Sequence, residues 1–251
     1  MNSMQCIGII PARYESQRLP GKPLADIAGK PMIQWVYERA LQSRHLSEVI
    51  IATDDERIHS AVLAFGGRAQ MTADTHQSGT DRIAEVAAQS AADIVVNIQG
   101  DEPLIEPEVI DASIAPLIED PSVEMGTIAC PLDPDDLRDP NVVKVVFNRD
   151  NRALYFSRAP IPYPQGIGKQ DMQSIYWQHI GLYVYRREFL LKFTQYQSTT
   201  LEQVERLEQL RALEHGHQIY VEPTEYRSRS VDTPEDLERV RQTIQTLREY
   251  S

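Results

Sequence analysis

The alternation of short apolar runs with amphipathic stretches predicts an α/β fold, a mostly parallel sheet flanked by helices with a smaller antiparallel lobe. Three observations carry that expectation. Through the first half, apolar runs too short for buried helices recur, each separated from the next by a stretch of helical period. The segments between those runs are long enough to cross over a parallel sheet. From about residue 126 the strand-like runs crowd together with turn residues between them, as hairpin connections permit.

Residues 6–10 (Cys-Ile-Gly-Ile-Ile) read as a buried strand, and 31–41 as a helix with proline in its first turn. A second buried strand covers 49–52 and ends at Thr53-Asp54, and a helix over 55–65 stops at Gly66-Gly67. Residues 83–89 read as helix, 93–99 as strand and 108–118 as helix. The runs 126–131, 142–147 and 153–157 are strand-like, broken by Asp133-Pro134, Asp139-Pro140 and Asn148-Arg149-Asp150-Asn151. Proline and glycine in 158–171 predict an exposed arm. Then follow a strand at 179–185, a helix at 202–213, a strand at 219–222 and an amphipathic helix at 233–247. No internal repeat is visible. The expectation is one domain over residues 1–251 with an inserted lobe at about 130–185.

A chain of 251 residues that is 41% hydrophobic can bury a sizeable core. Its net charge of −12 argues against a nucleic-acid surface. No run approaches the ~18 apolar residues of a membrane span, so the expectation is a soluble, cytoplasmic protein without membrane partners. Cys6 and Cys130 lack CxxC spacing and read as buried hydrophobes rather than as a disulfide or zinc framework.

Against this acidic background Arg13, Arg18 and Lys22 gather on the turn after the first strand, stiffened by Pro11, Pro20 and Pro23. Two guanidinium forks and one compact ammonium suit a polyphosphate, and Gly21 permits close backbone approach, the alternative being a solvated loop that makes surface ion pairs. The loop is not a P-loop, because Gly29-Lys30 is followed by Pro31, and no GxGxxG fingerprint is present. In an open parallel sheet, ligands sit beyond the carboxyl ends of the strands. The basic loop, Thr53-Asp54 and Gln99-Gly100-Asp101-Glu102 all fall at such ends. Asp101 suits a magnesium ion beside a triphosphate, although an aspartate in a loop also serves as a turn or cap residue. Asp232 stands just before Thr233-Pro234, a helix start, and reads either as a second metal ligand or as part of that start. Ser78-Gly79-Thr80-Asp81-Arg82 opens a helix and either reads a base edge or caps the helix.

Together these residues resemble the 3-deoxy-manno-octulosonate cytidylyltransferases (CMP-Kdo synthetases), a family of sugar nucleotidyltransferases. The matching stretches are Ile10 to Tyr14, Arg18 to Leu24, His76 to Arg82, Asn97 to Pro103, Ser157 to Pro162, His179 to Arg186, Leu207 to Arg211 and Val231 to Leu237. They cover essentially the whole chain. Glu15 and Gln17 stand where small or hydroxyl residues are usual, between the cations. The resemblance implies a Rossmann-like nucleotide-diphospho-sugar transferase fold, a homodimer, and the substrates CTP and 3-deoxy-D-manno-octulosonate (Kdo) with Mg²⁺, in lipopolysaccharide biosynthesis. It places Pro11, Ala12, Arg13, Arg18 and Lys22 on CTP, with Arg13, Arg18 and Lys22 on its phosphates. Ser78 and Arg82 fall in its cytosine segment, and Asp101 and Asp232 on the metal. Lys22, Arg13 and Asp101 are the expected catalytic groups. Gln99, Arg158, His179, Tyr183, Glu205 and Glu208 fall on the sugar side. A continuous helix would set the two glutamates one turn apart, and Arg158 suits a sugar carboxylate. The alternatives are another acidic sugar, such as sialic acid or 8-amino-Kdo, or a catalytically silent nucleotide-binding regulator.

Overall fold

The computed structural model describes residues 4–15, 19–166 and 175–249. In chain order these form β1 (Cys6–Ala12), β2 (Asp26–Ile27), β3 (Lys30–Pro31), α1 (Met32–Ala40), β4 (Leu46–Thr53), α2 (Glu56–Ala64), β5 (Ala69–Met71), α3 (Gly79–Ala88), β6 (Ile94–Asn97) and α4 (Pro107–Glu119). There follow β7 (Met125–Pro131), β8 (Lys144–Phe147), β9 (Ala153–Ser157), β10 (Trp177–Arg186), α5 (Arg187–Phe193), α6 (Thr200–Glu205), α7 (Leu210–Glu214), β11 (Ile219–Pro223) and α8 (Pro234–Glu249). The chain divides into two compact units, Met1–Asp111 with Ser228–Ser251, and Ala112–Arg227.

In the first unit β6, β1, β4 and β5 lie side by side and parallel. Central β1 is covered on both faces, with Cys6, Ile7, Ile9 and Ile10 buried, so its sequence is a continuous apolar run rather than an alternation. Gly8 is required within it, since a Cβ there would stand 2.9 Å from the Leu46 side chain and 3.0 Å from that of Ile98. Helix α1 buries Met32, Ile33, Val36, Tyr37 and Ala40, the spacing of one helical face. Asp55 caps α2 by accepting from the Arg57 N–H. Helix α3 begins at Gly79, ahead of the helical period that starts at residue 83, because Ser78 and Asp81 form a reciprocal capping box, the capping reading of the stretch from Ser78 to Arg82. From the C-terminal end, Val231, Leu237, Val240 and Ile244 pack with Ile27 and Met32.

In the second unit the strand order is β11-β7-β10-β8-β9. The β7–β10, β10–β8 and β8–β9 pairings are antiparallel, as the short connections imply, while β11 joins β7 in parallel. The helix expected over 202–213 is instead two helices. Helix α6 stops at Glu205 because Arg206 turns left-handed at φ 54°, and α7 starts at Leu210. Strand β5 and helix α5 leave no signal in the sequence, each being too short for a resolved period. In the proline-rich arm, residues 158–166 form neither helix nor strand, and Tyr163 is 85% exposed. Cys6 and Cys130 are buried free thiols, and burial, with Asp93 adding to it, pushes Cys6 up to about 11. Among the described residues no helix is long and apolar enough to cross a membrane.

Candidate active site

The polar ends of β1 and β6 and the start of α3 line a cavity of about 330 Å³ in the first unit. Pro11, Ala12, Arg13, Lys22, Arg82, Gln99 and Asp101 all border it. The parallel sheet explains the convergence, because neighbouring strands that run the same way deliver their C-terminal loops to one edge.

Lys22 opens a 3-10 turn whose preceding Gly21 is left-handed at φ 70°, where a Cβ would meet the Tyr14 ring at 3.1 Å. The turn aims the Lys22 Nζ at two carboxylates, Asp101 Oδ2 at 2.7 Å and Asp232 Oδ1 at 3.3 Å. Burial opposes the ammonium charge, but the carboxylates of Asp101 and Asp232 outweigh it and hold Lys22 above its ordinary value. Asp232 arrives because the Val231 N–H donates to the Asp101 carbonyl at 2.9 Å. The capping of α8 falls to its neighbours, since Thr233 and Asp236 bond reciprocally. The Asp232 carboxylate therefore faces Lys22 instead of closing the helix.

Arg13 is tethered to the loop before α3, donating from Nη2 to the carbonyls of His76 and Ser78. That loop is held in turn by Glu85, which accepts from the Ala73 N–H and pairs with the His76 ring. Ser78 is the N-cap of α3. Arg82, one of the largest fully buried side chains, donates to Asp54 Oδ2 at 2.7 Å and to the Thr72 hydroxyl. Among the described residues its Nε has no partner. Gln99 donates to Asn97 Oδ1 at 3.4 Å. Arg18 lies outside the described residues. Asp54 was visible in the sequence as a polar strand end, but its pairing with Arg82 was not. His76 stands out only as the start of a matching stretch, and Glu85 and Thr72 give no usable signal, because each matters through a contact that only the fold creates.

The second unit holds the other expected residues. Glu205 accepts from the Ser157 hydroxyl at 2.6 Å and from the Arg158 N–H at 2.9 Å. The Arg158 guanidinium donates to the carbonyls of Glu205, Pro140 and Arg206. Glu205 and Glu208 are not one helical turn apart, because the backbone reverses at Arg206 between them. Glu208 pairs with Arg211 at 3.6 Å. The His179 ring lies 5.0 Å from Phe156 and 5.4 Å from Tyr183, and burial pushes its pKa down to about 3. Burial, then the nearby Glu208 charge, raises the Tyr183 phenol. No three His, Cys, Asp or Glu among the described residues cluster as a metal site.

Residues 7–219 match the protein family described as Cytidylyltransferase. A 3-deoxy-manno-octulosonate cytidylyltransferase of Geotalea uraniireducens (strain Rf4) is 55% identical over 245 residues, 94% of this chain and 98% of that protein. A solved CMP:2-keto-3-deoxy-manno-octonic acid synthetase complexed with CTP is 45% identical, with a TM-score of 0.91 over 96% of this chain and 99% of that one. The 4-diphosphocytidyl-2C-methyl-D-erythritol synthase of Anaerococcus prevotii DSM 20548 shares the fold at 12% identity, with a TM-score of 0.63 over 96% and 99% of the two chains. The match over most of the chain, joined to a cation-lined cavity at the strand ends, shows that the chain belongs to the cytidylyltransferase family, alongside the 3-deoxy-manno-octulosonate cytidylyltransferases.

Proposed function

We infer that the chain transfers CMP from CTP to Kdo, giving CMP-Kdo and pyrophosphate. The observation that carries this reading is Lys22, held charged between Asp101 and Asp232 on the cavity at the strand ends. The anomeric hydroxyl of Kdo attacks the α-phosphorus, the bond to the β-phosphate breaks, and the hydroxyl proton leaves to solvent. Arg13 and Lys22 bind phosphate oxygens and neutralise the charge that builds during transfer, with Arg18 assigned to the same task by resemblance. Ser78 and Arg82 belong to the cytosine side. Gln99, Arg158, His179, Tyr183, Glu205 and Glu208 belong to the sugar side.

The donor set fits magnesium. Asp101 and Asp232 offer hard carboxylate oxygens that already converge on one cation, and Mg²⁺ commonly takes one or two carboxylates plus phosphate oxygens and water. When bound there, the ion supplies charge neutralisation and polarises the phosphate. We assign the reaction to the cytoplasm and the lipopolysaccharide pathway, and the protein to a homodimer. Exposed Leu154, Tyr163 and Val204 in the second unit support the dimer.

Pyrophosphate release from CTP tests the reading, with Kdo, sialic acid and 8-amino-Kdo as acceptors. Release with Kdo, dependent on magnesium, is expected, with Asp101→Asn needing more of the ion. Tight CTP binding without release would instead favour a silent regulator.

A further inference from the structure

Thr127 lies buried in β7 among small and apolar neighbours. Opposite it, β10 is irregular, its register with β7 shifting between Ile180 and Tyr183. Into that irregularity the Thr127 Oγ1 makes three contacts: the Leu182 carbonyl at 2.8 Å, the Ile180 carbonyl at 3.2 Å and His179 Nε2 at 3.0 Å.

A threonine hydroxyl has one proton and two lone pairs. Carbonyl oxygens only accept, so the Thr127 proton is committed to them, chiefly to Leu182. Toward His179 the hydroxyl is left as an acceptor, and Nε2 must carry the hydrogen. Burial keeps the ring neutral, and a neutral imidazole protonated on Nε2 has a bare lone pair on Nδ1. Phe156 and Tyr183 pack against the ring and restrain its plane.

We propose that Thr127 is a positioning residue that locks His179 in the Nε2–H tautomer, so that Nδ1 accepts a hydrogen bond from a hydroxyl of the sugar acid. The proposal rests on the assignment of His179 to the sugar side. If Thr127 merely filled the strand irregularity, its loss would lower stability and leave sugar affinity unchanged.

Thr127→Val keeps the shape and removes the hydroxyl, and Thr127→Ser restores it. In the substrate-free parent, ¹⁵N NMR of the histidine rings is expected to show His179 protonated on Nε2. In Thr127→Val that signature should shift. The KM for Kdo should rise about tenfold, as for the loss of roughly one hydrogen bond, while the KM for CTP holds. Thr127→Ser should recover both. Should Thr127→Val fail to fold, Thr127→Cys, a poorer acceptor of similar size, carries the same comparison. A parent ring protonated on Nδ1 overturns the proposal. So does an unchanged KM for Kdo in a folded variant lacking the hydroxyl. If the parent does not turn over Kdo at all, the proposed function fails with it. The ring signature, read without substrate, then still reports whether the tautomer was assigned correctly.

Discussion

The Lys22 ammonium touches one carboxylate 79 residues away in sequence and another 210 residues away. Asp101 and Asp232 keep 26% and 42% of their side-chain surface in solvent, so water and salt screen them when the lysine is removed. Lys22→Ala should therefore destabilise by only about 1 kcal/mol yet lower turnover by roughly a hundredfold or more, the scale of a lost oxyanion donor. Steady-state kinetics beside a thermal melt checks this, and an equal collapse of folding and activity would remove Lys22 from catalysis. His179 behaves in the opposite manner. Its folded pKa is about 3, below the ordinary histidine value, so the unfolded chain binds the extra proton first. The resulting stability is complete above about pH 6.5 and is lost as pH falls toward the folded value. Urea titrations between pH 7.5 and 5 should show a decline approaching 1.4 kcal/mol per pH unit for one proton, and His179→Gln should flatten it.

Helix starts matter here because one borders the cavity and another follows a carboxylate that reaches Lys22. The box of Ser78 and Asp81 begins α3 at the loop that Arg13 grips, and the box of Thr233 and Asp236 begins α8 beside Asp232. Thr233→Ala removes a cap worth about 1 kcal/mol and should lower Tm by roughly 2–4 °C for a chain of this size. Thr233→Ser, which keeps the hydroxyl, should restore most of it. At this scale the sequence was legible where its pattern was local. The buried strand at 6–10 and the helices at 31–41 and 55–65 appear within a residue or two of their expected places. The sequence predicts a single helix over 202–213 because nothing in Glu205-Arg206-Leu207 signals a left-handed residue. The reversal is supported from outside the helix, by Arg158 and its bonds to the carbonyls of Glu205 and Arg206.

For the whole molecule, sedimentation at micromolar concentration should give a particle of twice the chain mass. A monomer at all concentrations would oppose the proposed dimer. The sequence by itself determined the α/β class, the order of its early strands and helices, and the presence of a basic loop after the first strand. Each of these is written in short windows, as a period of burial or a cluster of charge after a strand. Only the tertiary structure decided that Asp232 meets Lys22, that Asp54 and Thr72 hold Arg82, that the chain reverses at Arg206, and that the Thr127 hydroxyl meets the His179 ring. The physical reason is that periodicity specifies which face of an element is buried. Which polar groups then meet depends on strand order, register and local irregularity, and long-range packing sets all three.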